Sequence, residues 1–360
     1  MTKLVFFSDL HAHAFPEFGA SERLQDCLSV LTDIRKWCIA NGVKDVFFGG
    51  DLFHKRGVLW TSPYVAVANE LLLFKEAGIA FRAVHGNHDD EDKEGTIHAL
   101  QPLMAGGLMV GIGPKGFRCV KVAGIIVTMF AYCESPDVLA KRIREMKRRL
   151  PGYDRKRHIG LFHHGFKGAS VGSSLEYEVK EPIDAKALKL DKTFGLVLSG
   201  HYHAHQAIQG VRRGFYIGSP LEHTRSDRTH DPKGFLVVDS QTLHVERVAL
   251  DRPRFVTRKV GEPLKGVKGN FVDVVYAKAD EELDAYLAAV KKKGARGINP
   301  IALPSAKRQT KKRLDVSPAL APRKVLKRYV KHKRKDIKRQ GLETKTLLQT
   351  GIELLRSAEK

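Results

Sequence analysis

The sequence predicts an α/β fold built around a mostly parallel sheet. Three observations predict it: a β-α-β-α-β alternation over residues 3–85, strands that end in glycine and polar residues, and an apolar content of 42%, enough for a packed core. At 360 residues the chain has room for roughly two domains.

Residues 3–8 read as a short buried strand running into Asp9-Leu10-His11. Residues 21–40 carry Leu24, Leu28, Leu31, Ile34 and Ile39 at helical spacing, with Ser21 as N-cap and Asn41-Gly42 as the stop. The apolar run ending in Val46-Phe47-Phe48 closes a second strand, residues 43–48, which leads into Gly49-Gly50-Asp51-Leu52-Phe53-His54. A helix over residues 63–76 presents Val67, Leu71, Leu72 and Phe74, and Gly78 ends it. A third strand, residues 79–85, runs straight into Gly86-Asn87-His88-Asp89.

The texture then changes to short strands at 117–122 and 125–132. A basic helix follows at 136–150. Strands at 159–162 and 194–199 lead to His163-His164 and Gly200-His201-Tyr202-His203. Residues 214–217, 234–239 and 243–250 are expected to close the sheet as antiparallel strands. A small α+β second domain is expected over 251–304, with strands at 254–260, 271–276 and 296–303 and a helix at 280–292. A basic linker (305–322) and a helical segment (323–360) complete the chain. In that segment Val325, Leu326, Tyr329, Val330 and Ile337, then Leu347, Leu348, Ile352 and Leu355, form apolar stripes.

The net charge is +22. Between residues 305 and 340, 15 Lys/Arg stand against Asp315 and Asp336, which places +13 of it there. Such a block points to a polyanion, nucleic acid ahead of a membrane, with Lys307, Arg308, Lys311, Lys312 and Arg313 as expected contacts. Cys27, Cys38, Cys119 and Cys133 lack C-x-x-C spacing and fit a reducing compartment. The apolar run at residues 4–7 is too short for a signal peptide, and no stretch approaches the roughly 20 apolar residues of a membrane span. A soluble, cytoplasmic protein is expected.

Five strand-ending segments supply Asp9, His11, Asp51, Asn87, His163, His201 and His203. This mixed nitrogen and oxygen donor set suits Mn, Fe or Zn rather than Ca or Mg. It is too large for one tetrahedral ion and about right for two ions sharing a carboxylate, the arrangement that serves in-line displacement at phosphorus.

The pattern Asp9-x-His11, Gly50-Asp51, Gly86-Asn87-His88-Asp89, His163 and Gly200-His201-x-His203 resembles the calcineurin-like metallophosphoesterase superfamily over about residues 1–250. The resemblance implies a four-layer α/β/β/α sandwich with a dinuclear centre at the strand ends. One ion would be held by Asp9, His11, Asp51 and His203, the other by Asp51, Asn87, His163 and His201, with Asp51 bridging. His88 would contact the phosphate or protonate the leaving oxygen, with Asp89 orienting its ring. Within the superfamily the Asp51-Leu52-Phe53-His54 continuation, the segment 216–220 followed by Lys233-Gly234-Phe235, and the two C-terminal helices are similar to the SbcD-type repair nucleases. There His54 would be a further substrate-side histidine. That branch implies two Mn²⁺ ions, DNA as substrate, an SbcC-like coiled-coil ATPase docked on the C-terminal helices, and a homodimer. The short second domain and tail suggest a compact version of the size a phage would encode, acting then in the host cytoplasm.

The expected function is a metal-dependent DNA exo- and endonuclease in an SbcCD-like complex. The alternatives are a phosphodiesterase acting on small nucleotides and a DNA-binding assembly subunit with an idle metal site. There is no G-x-x-x-x-G-K-[ST] loop, so any ATP dependence must come from a partner. Three histidines depart from the pattern. His13 is expected at the surface or behind the ligands, His164 behind His163, and His205 has no role.

Overall fold

The computed structural model describes residues 2–15, 23–92, 95–113, 116–170, 183–228, 232–303, 322–334, 337 and 343–358. They fall into two units, residues 1–301 and 302–360. In chain order the first unit contains β1 (Lys3–Phe7), α1 (Arg23–Ala40), β2 (Asp45–Phe48), α2 (Thr61–Glu76), β3 (Ala80–Ala83), α3 (Gln101–Ala105), β4 (Phe117–Val122) and β5 (Ile125–Phe130). There follow α4 (Pro136–Arg149), β6 (His158–Phe162), α5 (Leu190–Thr193), β7 (Leu196–Ser199), β8 (Gln206–Ala207), β9 (Gly214–Tyr216), β10 (Gly234–Asp239) and β11 (Val245–Ala249). The last elements of this unit are β12 (Phe255–Lys259), β13 (Phe271–Tyr276), α6 (Glu281–Lys292) and β14 (Gly297–Ala302).

The first sheet has the order β11-β10-β1-β2-β3, the second β4-β5-β6-β7-β9-β8. Strands β1, β2 and β3 run parallel, as do β5, β6, β7 and β9. Period-two alternation builds the layers. Along β1, Val5 and Phe7 pack with α1 and α2 residues such as Leu31, Ile34 and Leu71, while Leu4 and Phe6 face the other way. There they share one core with Phe47, Leu236, Val127, Leu161 and Leu198, drawn from both sheets. On the far side of the second sheet, Phe130, Phe162 and Val197 meet Leu139, Ile143 and Met146 of α4. The result is the α/β/β/α order of layers. It is tightened by stacked rings, Phe6 on Phe47 at 5.1 Å and Phe130 on Phe162 at 4.7 Å. Each fully buried phenyl contributes roughly 1.5–3 kcal/mol.

Helix α4 shows why its residues choose this element. Ser135 accepts from Val138 N–H at the N-cap, Pro136 opens the first turn, and Lys147, Arg148 and Arg149 crowd the negative end of the dipole.

One topological expectation needs correction. The segment expected over 214–217 as an antiparallel closing strand pairs parallel with β7 in the second sheet; only β10 and β11 close antiparallel, on the first. Between β7 and β9 the chain passes through the loop Gly200–His205 and the short β8, which pairs antiparallel with β9 and whose two residues carry no strand signature. The short helices α3 and α5 were also invisible in the pattern, being under two turns long. The expected N-cap Ser21 lies outside the described residues.

The third sheet, β12-β13-β14, covers its apolar face with α6. It is joined to the sandwich through buried charge. Arg23 is fully buried, donates to Asp26 at 2.9 Å and to the Glu222 carbonyl, and lies over the Phe271 ring at 5.0 Å. The Asp26 carboxylate also receives Arg296 at 2.6 Å, and Glu222 receives Phe255 N–H at 2.6 Å. Asp273, buried in β13, takes Arg225 at 2.8 Å, Asn299 at 2.8 Å and Arg228 at 3.3 Å.

The second unit contains α7 (Pro322–His332) and α8 (Thr344–Ala358), which touch where Leu326 approaches Gly351. Val330 and Ile337 are buried, while Tyr329, Leu347 and Leu354 remain exposed. Among the described residues no helix is long and apolar enough to cross a membrane.

His158 opens β6 with no exposed surface, next to the Thr128 hydroxyl at 2.7 Å, and burial lowers its pKa from 6.5 to about 4. Between those values the unfolded chain binds a proton that the folded chain refuses, so stability falls as pH falls through this window. The slope from this residue is about 1.4 kcal/mol per pH unit, on the order of 3 kcal/mol in all. Urea unfolding of wild type and His158→Gln from pH 7 to pH 4 is expected to show that much less acid sensitivity in the variant.

Candidate metal centre

The parallel strands β1, β2, β3, β6 and β7 all point their C-terminal ends at one place. The loops leaving them are held in a costly conformation. Asp9, His11, Asp51 and His201 have φ of 56°, 44°, 59° and 84°, in the left-handed region that side chains with a Cβ avoid. Backbone bonds lock two of these loops together: Asp9 N–H to Gly50 O, His11 N–H to Asp51 O, and Ala12 N–H to Leu52 O, all at 2.8–2.9 Å. The third loop is tied in by Asp89. Its carboxylate accepts from the N–H groups of Asp51, Leu52, Phe53 and Gly86 at 2.9–3.1 Å.

Asp89 was expected to orient the His88 ring. Its oxygens are instead spent on these four N–H groups, and the His88 Nδ1–H points to the carbonyl of His54. Glycine is required where the loops crowd. A Cβ on Gly200 would collide with the Ser8 hydroxyl and the Gly49 carbonyl, and one on Gly50, at φ 104°, would strike His163 Nδ1.

Within this frame the structure gathers all seven side chains singled out at the strand ends. Candidate donor atoms of Asp9, His11 and His203 lie within 4.8 Å of one another, as do those of Asp9, Asp51 and His163, and those of His11, Asp51 and His88. Asp51 Oδ2 stands 3.6 Å from His11 Nε2 and 3.2 Å from His163 Nε2, between the two groups. Asn87 Oδ1 is 3.2 Å from His163 Nε2 and 2.9 Å from His201 Nδ1.

These donors fit divalent cations. The Nε2 atoms of His11 and His203 face each other at 3.1 Å, and His203 already donates Nδ1–H to Asp227 at 2.8 Å. A neutral His203 therefore directs a lone pair at His11, and a proton or cation must lie between the rings. Asp9 Oδ2 is buried and has no hydrogen-bond partner among the described residues. His163 Nδ1–H goes to the Gly49 carbonyl at 2.7 Å, which likewise leaves Nε2 as a donor atom.

The electrostatics divide these residues: Asp51, His11 and His201 are held in the form that ligates, while His163 and Asp9 are shifted toward their protonated forms. Burial alone would raise the Asp51 carboxyl, yet the His163 and His11 rings hold it well below the usual carboxylate range. Burial would lower His163, but Asp51 lifts it to about 10, so its Nε2 carries a proton that a cation would have to displace. His11 and His201 are depressed, His201 to about 3, chiefly by burial, which keeps both in the neutral form that ligates. Asp9 is raised by burial.

The remaining histidines have definite places. His54 lies 5.9 Å from the His88 ring and 5.4 Å from the His11 ring, beside the donors rather than among them. His13 is buried against His54 and accepts from Phe15 N–H. His164 accepts from Cys133 N–H, and His205 donates to the Tyr216 carbonyl. Lys307, Arg308, Lys311, Lys312 and Arg313 lie outside the described residues.

Sequence reasoning missed Asp227, which orients His203. It also missed His223, which donates to the Asp9 carbonyl at 2.9 Å, and Tyr132, whose ring stacks 6.3 Å from His201. Asp227 sits in a polar turn, Thr224 to Asp227, where it also takes the N–H groups of His223 and Thr224. A lone aspartate there carries no signal in the sequence.

Comparison with known proteins places these residues in context. The sequence profile of the calcineurin-like phosphoesterases matches residues 2–205. The DNA double-strand break repair protein Mre11 of Sulfurisphaera tokodaii is 28% identical over 221 residues, 61% of this chain and 54% of that protein. The chain thus spans about half the length of that relative. Among solved structures, TT1561 of Thermus thermophilus aligns with a TM-score of 0.41 at 13% identity, covering 69% of this chain and 98% of its own. A dimetal phosphatase from Danio rerio aligns with a TM-score of 0.38 at 9% identity, covering 66% and 91%.

Asp227→Ala frees the His203 ring while leaving every candidate donor in place. It is expected to weaken Mn²⁺ binding about 10- to 100-fold, read by titration calorimetry against wild type, with an unchanged circular dichroism spectrum. Equal affinity in the two proteins would mean that His203 is set by the loop alone.

Proposed function

The chain belongs to the calcineurin-like phosphoesterase family, and from that premise we propose that it is a metal-dependent DNA exo- and endonuclease, the hydrolytic subunit of an SbcCD-like repair complex. The observation that carries the hydrolytic part is Asp51 Oδ2, set between the His11 and His163 nitrogens so that one carboxylate serves two donor groups. The step from phosphoester to DNA is supported by the similarity to Mre11 and by the +13 block over residues 305–340, since a small substrate needs no such surface.

In this reading Asp9, His11, Asp51 and His203 would hold one cation, and Asp51, Asn87, His163 and His201 the other, with Mn²⁺ chosen among the ions that suit these donors because the SbcD-type resemblance implies it. Two such ions supply Lewis-acid polarisation of the phosphoryl oxygen and a water acidic enough to act as nucleophile at neutral pH. The chain's own residues do the rest. The Asp89 clamp fixes Asp51 against the donors. The His54 carbonyl holds His88 Nδ1–H and turns the other ring nitrogen toward substrate, where it can protonate the departing oxygen.

The domain plan under this proposal is a nuclease body at 1–250, a small α+β domain at 251–304, a basic linker at 305–322 and a partner-docking segment at 323–360. The exposed Tyr329, Leu347 and Leu354 on α7 and α8 support docking of a coiled-coil ATPase, since an amphipathic helix pair buries such residues in a groove. A cytoplasmic site of action and a homodimer belong to the same proposal.

The Mn²⁺-loaded full chain is expected to degrade linear duplex DNA and to do so faster than it turns over cyclic nucleotides. His88→Ala is expected to retain metal and lose about 10²- to 10⁴-fold in kcat; a fully active variant would remove His88 from the reaction. Pull-down of an SbcC-type coiled coil is expected with the intact chain and not after deletion of residues 320–360.

A further inference from the structure

Beside the candidate centre lies a shallow, open groove lined in part by Phe15, Phe53, His54, Lys55, Val58 and Trp60. Nothing in the hydrolytic reading uses it. Phe15 meets Trp60 edge-on at 4.5 Å and His54 at 5.4 Å, and the Lys55 ammonium lies 6.0 Å over the Trp60 ring. The rim is unusually apolar for the mouth of a charged site: Val58, Leu59 and Trp60 are 43%, 42% and 37% exposed. In the wall, His54 Nδ1 is buried and has no hydrogen-bond partner among the described residues.

His54 belongs to both places. Its carbonyl holds His88, its ring stands 5.4 Å from that of His11, and its other side faces Phe15. A molecule with a phosphate at the donor cluster, extending past His54, therefore meets aromatic edges and faces with a cation above them. The substituent of a phosphodiester that suits such walls is flat and aromatic. Aromatic side chains accept any base because every base has a π face. Lys55 adds attraction for the ring system and for a flanking phosphate.

We propose that the Phe15–Trp60 cleft binds a nucleobase of the nucleotide adjoining the scissile phosphate. This rests on the reading that the centre cuts DNA, and it adds the element that separates a nucleotide chain from a simple phosphodiester.

The test uses the full Mn²⁺-loaded chain with three substrates: a short oligonucleotide, the same oligonucleotide made abasic on either side of the cleaved bond, and bis-p-nitrophenyl phosphate. Phe15→Ala and Trp60→Ala are each expected to lower kcat/KM on the oligonucleotide roughly 10- to 100-fold, and Trp60→Phe to recover most of it. Turnover of bis-p-nitrophenyl phosphate stays at the wild-type level. Abasic substitution lowers the wild-type rate and has little further effect on Trp60→Ala. Equal losses on all three substrates, or a wild-type enzyme indifferent to the missing base, overturn the proposal. So does a Trp60→Ala chain that changes only its elution volume, because the rim then serves contact between copies.

A binding arm keeps the cleft separate from the nuclease reading. In a Trp37→Phe background Trp60 is the only tryptophan. Its emission is expected to be quenched by deoxyadenosine 5′-monophosphate and not by deoxyribose 5-phosphate. If wild type hydrolyses bis-p-nitrophenyl phosphate but no DNA while this quenching holds, the nuclease reading falls and the cleft stands. If DNA is cut and the two ligands quench alike, the cleft falls and the nuclease reading stands.

Discussion

The candidate centre depends on one carboxylate that binds backbone N–H groups and contributes no oxygen to the candidate ligand set. Asp89 collects four N–H groups from two loops, and in doing so it holds the backbone of Asp51 in a left-handed conformation that an aspartate would not keep by itself. Unsatisfied buried N–H groups cost about 1–3 kcal/mol each. The strain at Asp51 is of order 1–3 kcal/mol. The four bonds act against that strain and against the burial that raises the Asp89 pKa to about 8, and they hold the loop that carries Asp51 Oδ2 between His11 and His163.

The same logic recurs one layer out. His163 is held by the Gly49 carbonyl, His203 by Asp227, His201 N–H by Asp9 Oδ1 at 3.0 Å, and the Asp9 carbonyl by His223. Each of these residues is thus oriented by a group on a different loop, one of them a backbone carbonyl and the other three side chains. A site arranged this way is stiff before it binds anything, which lowers the reorganisation needed to capture a cation or phosphate.

Much of the fold was legible because it is local. Strands β1, β2, β3, β6 and β7 announce themselves as short apolar runs leading into glycine, acidic or imidazole residues, and helix α1 by Leu28, Leu31 and Ile34. The placement of the seven donor residues at strand ends was legible for the same reason. What was not legible depends on partners far apart in sequence. Asp89 looks like a partner for its neighbour His88, and only the folded loops reveal four N–H groups in need of an acceptor. Asp227 is an ordinary turn residue until His203 arrives from 24 positions away. The parallel pairing of β9 with β7 leaves no mark in the apolar pattern of β9 itself. Arg23 carries no sign of burial in the sequence, yet three later segments bury it completely.

That arginine bears on how far the first 250 residues can stand as an autonomous module. Phe255 and Phe271 roof its guanidinium, and Arg296 shares its aspartate. Asp273 from the same sheet grips Arg225 and Arg228, the immediate neighbourhood of Asp227. A fragment cut after β11 would expose a salt-bridged cavity at its seam and loosen the turn that steadies His203. The boundary seen in the sequence is thus no safe place to divide the gene for expression, and a chimera exchanging the three-stranded sheet would have to carry these arginines and aspartates with it.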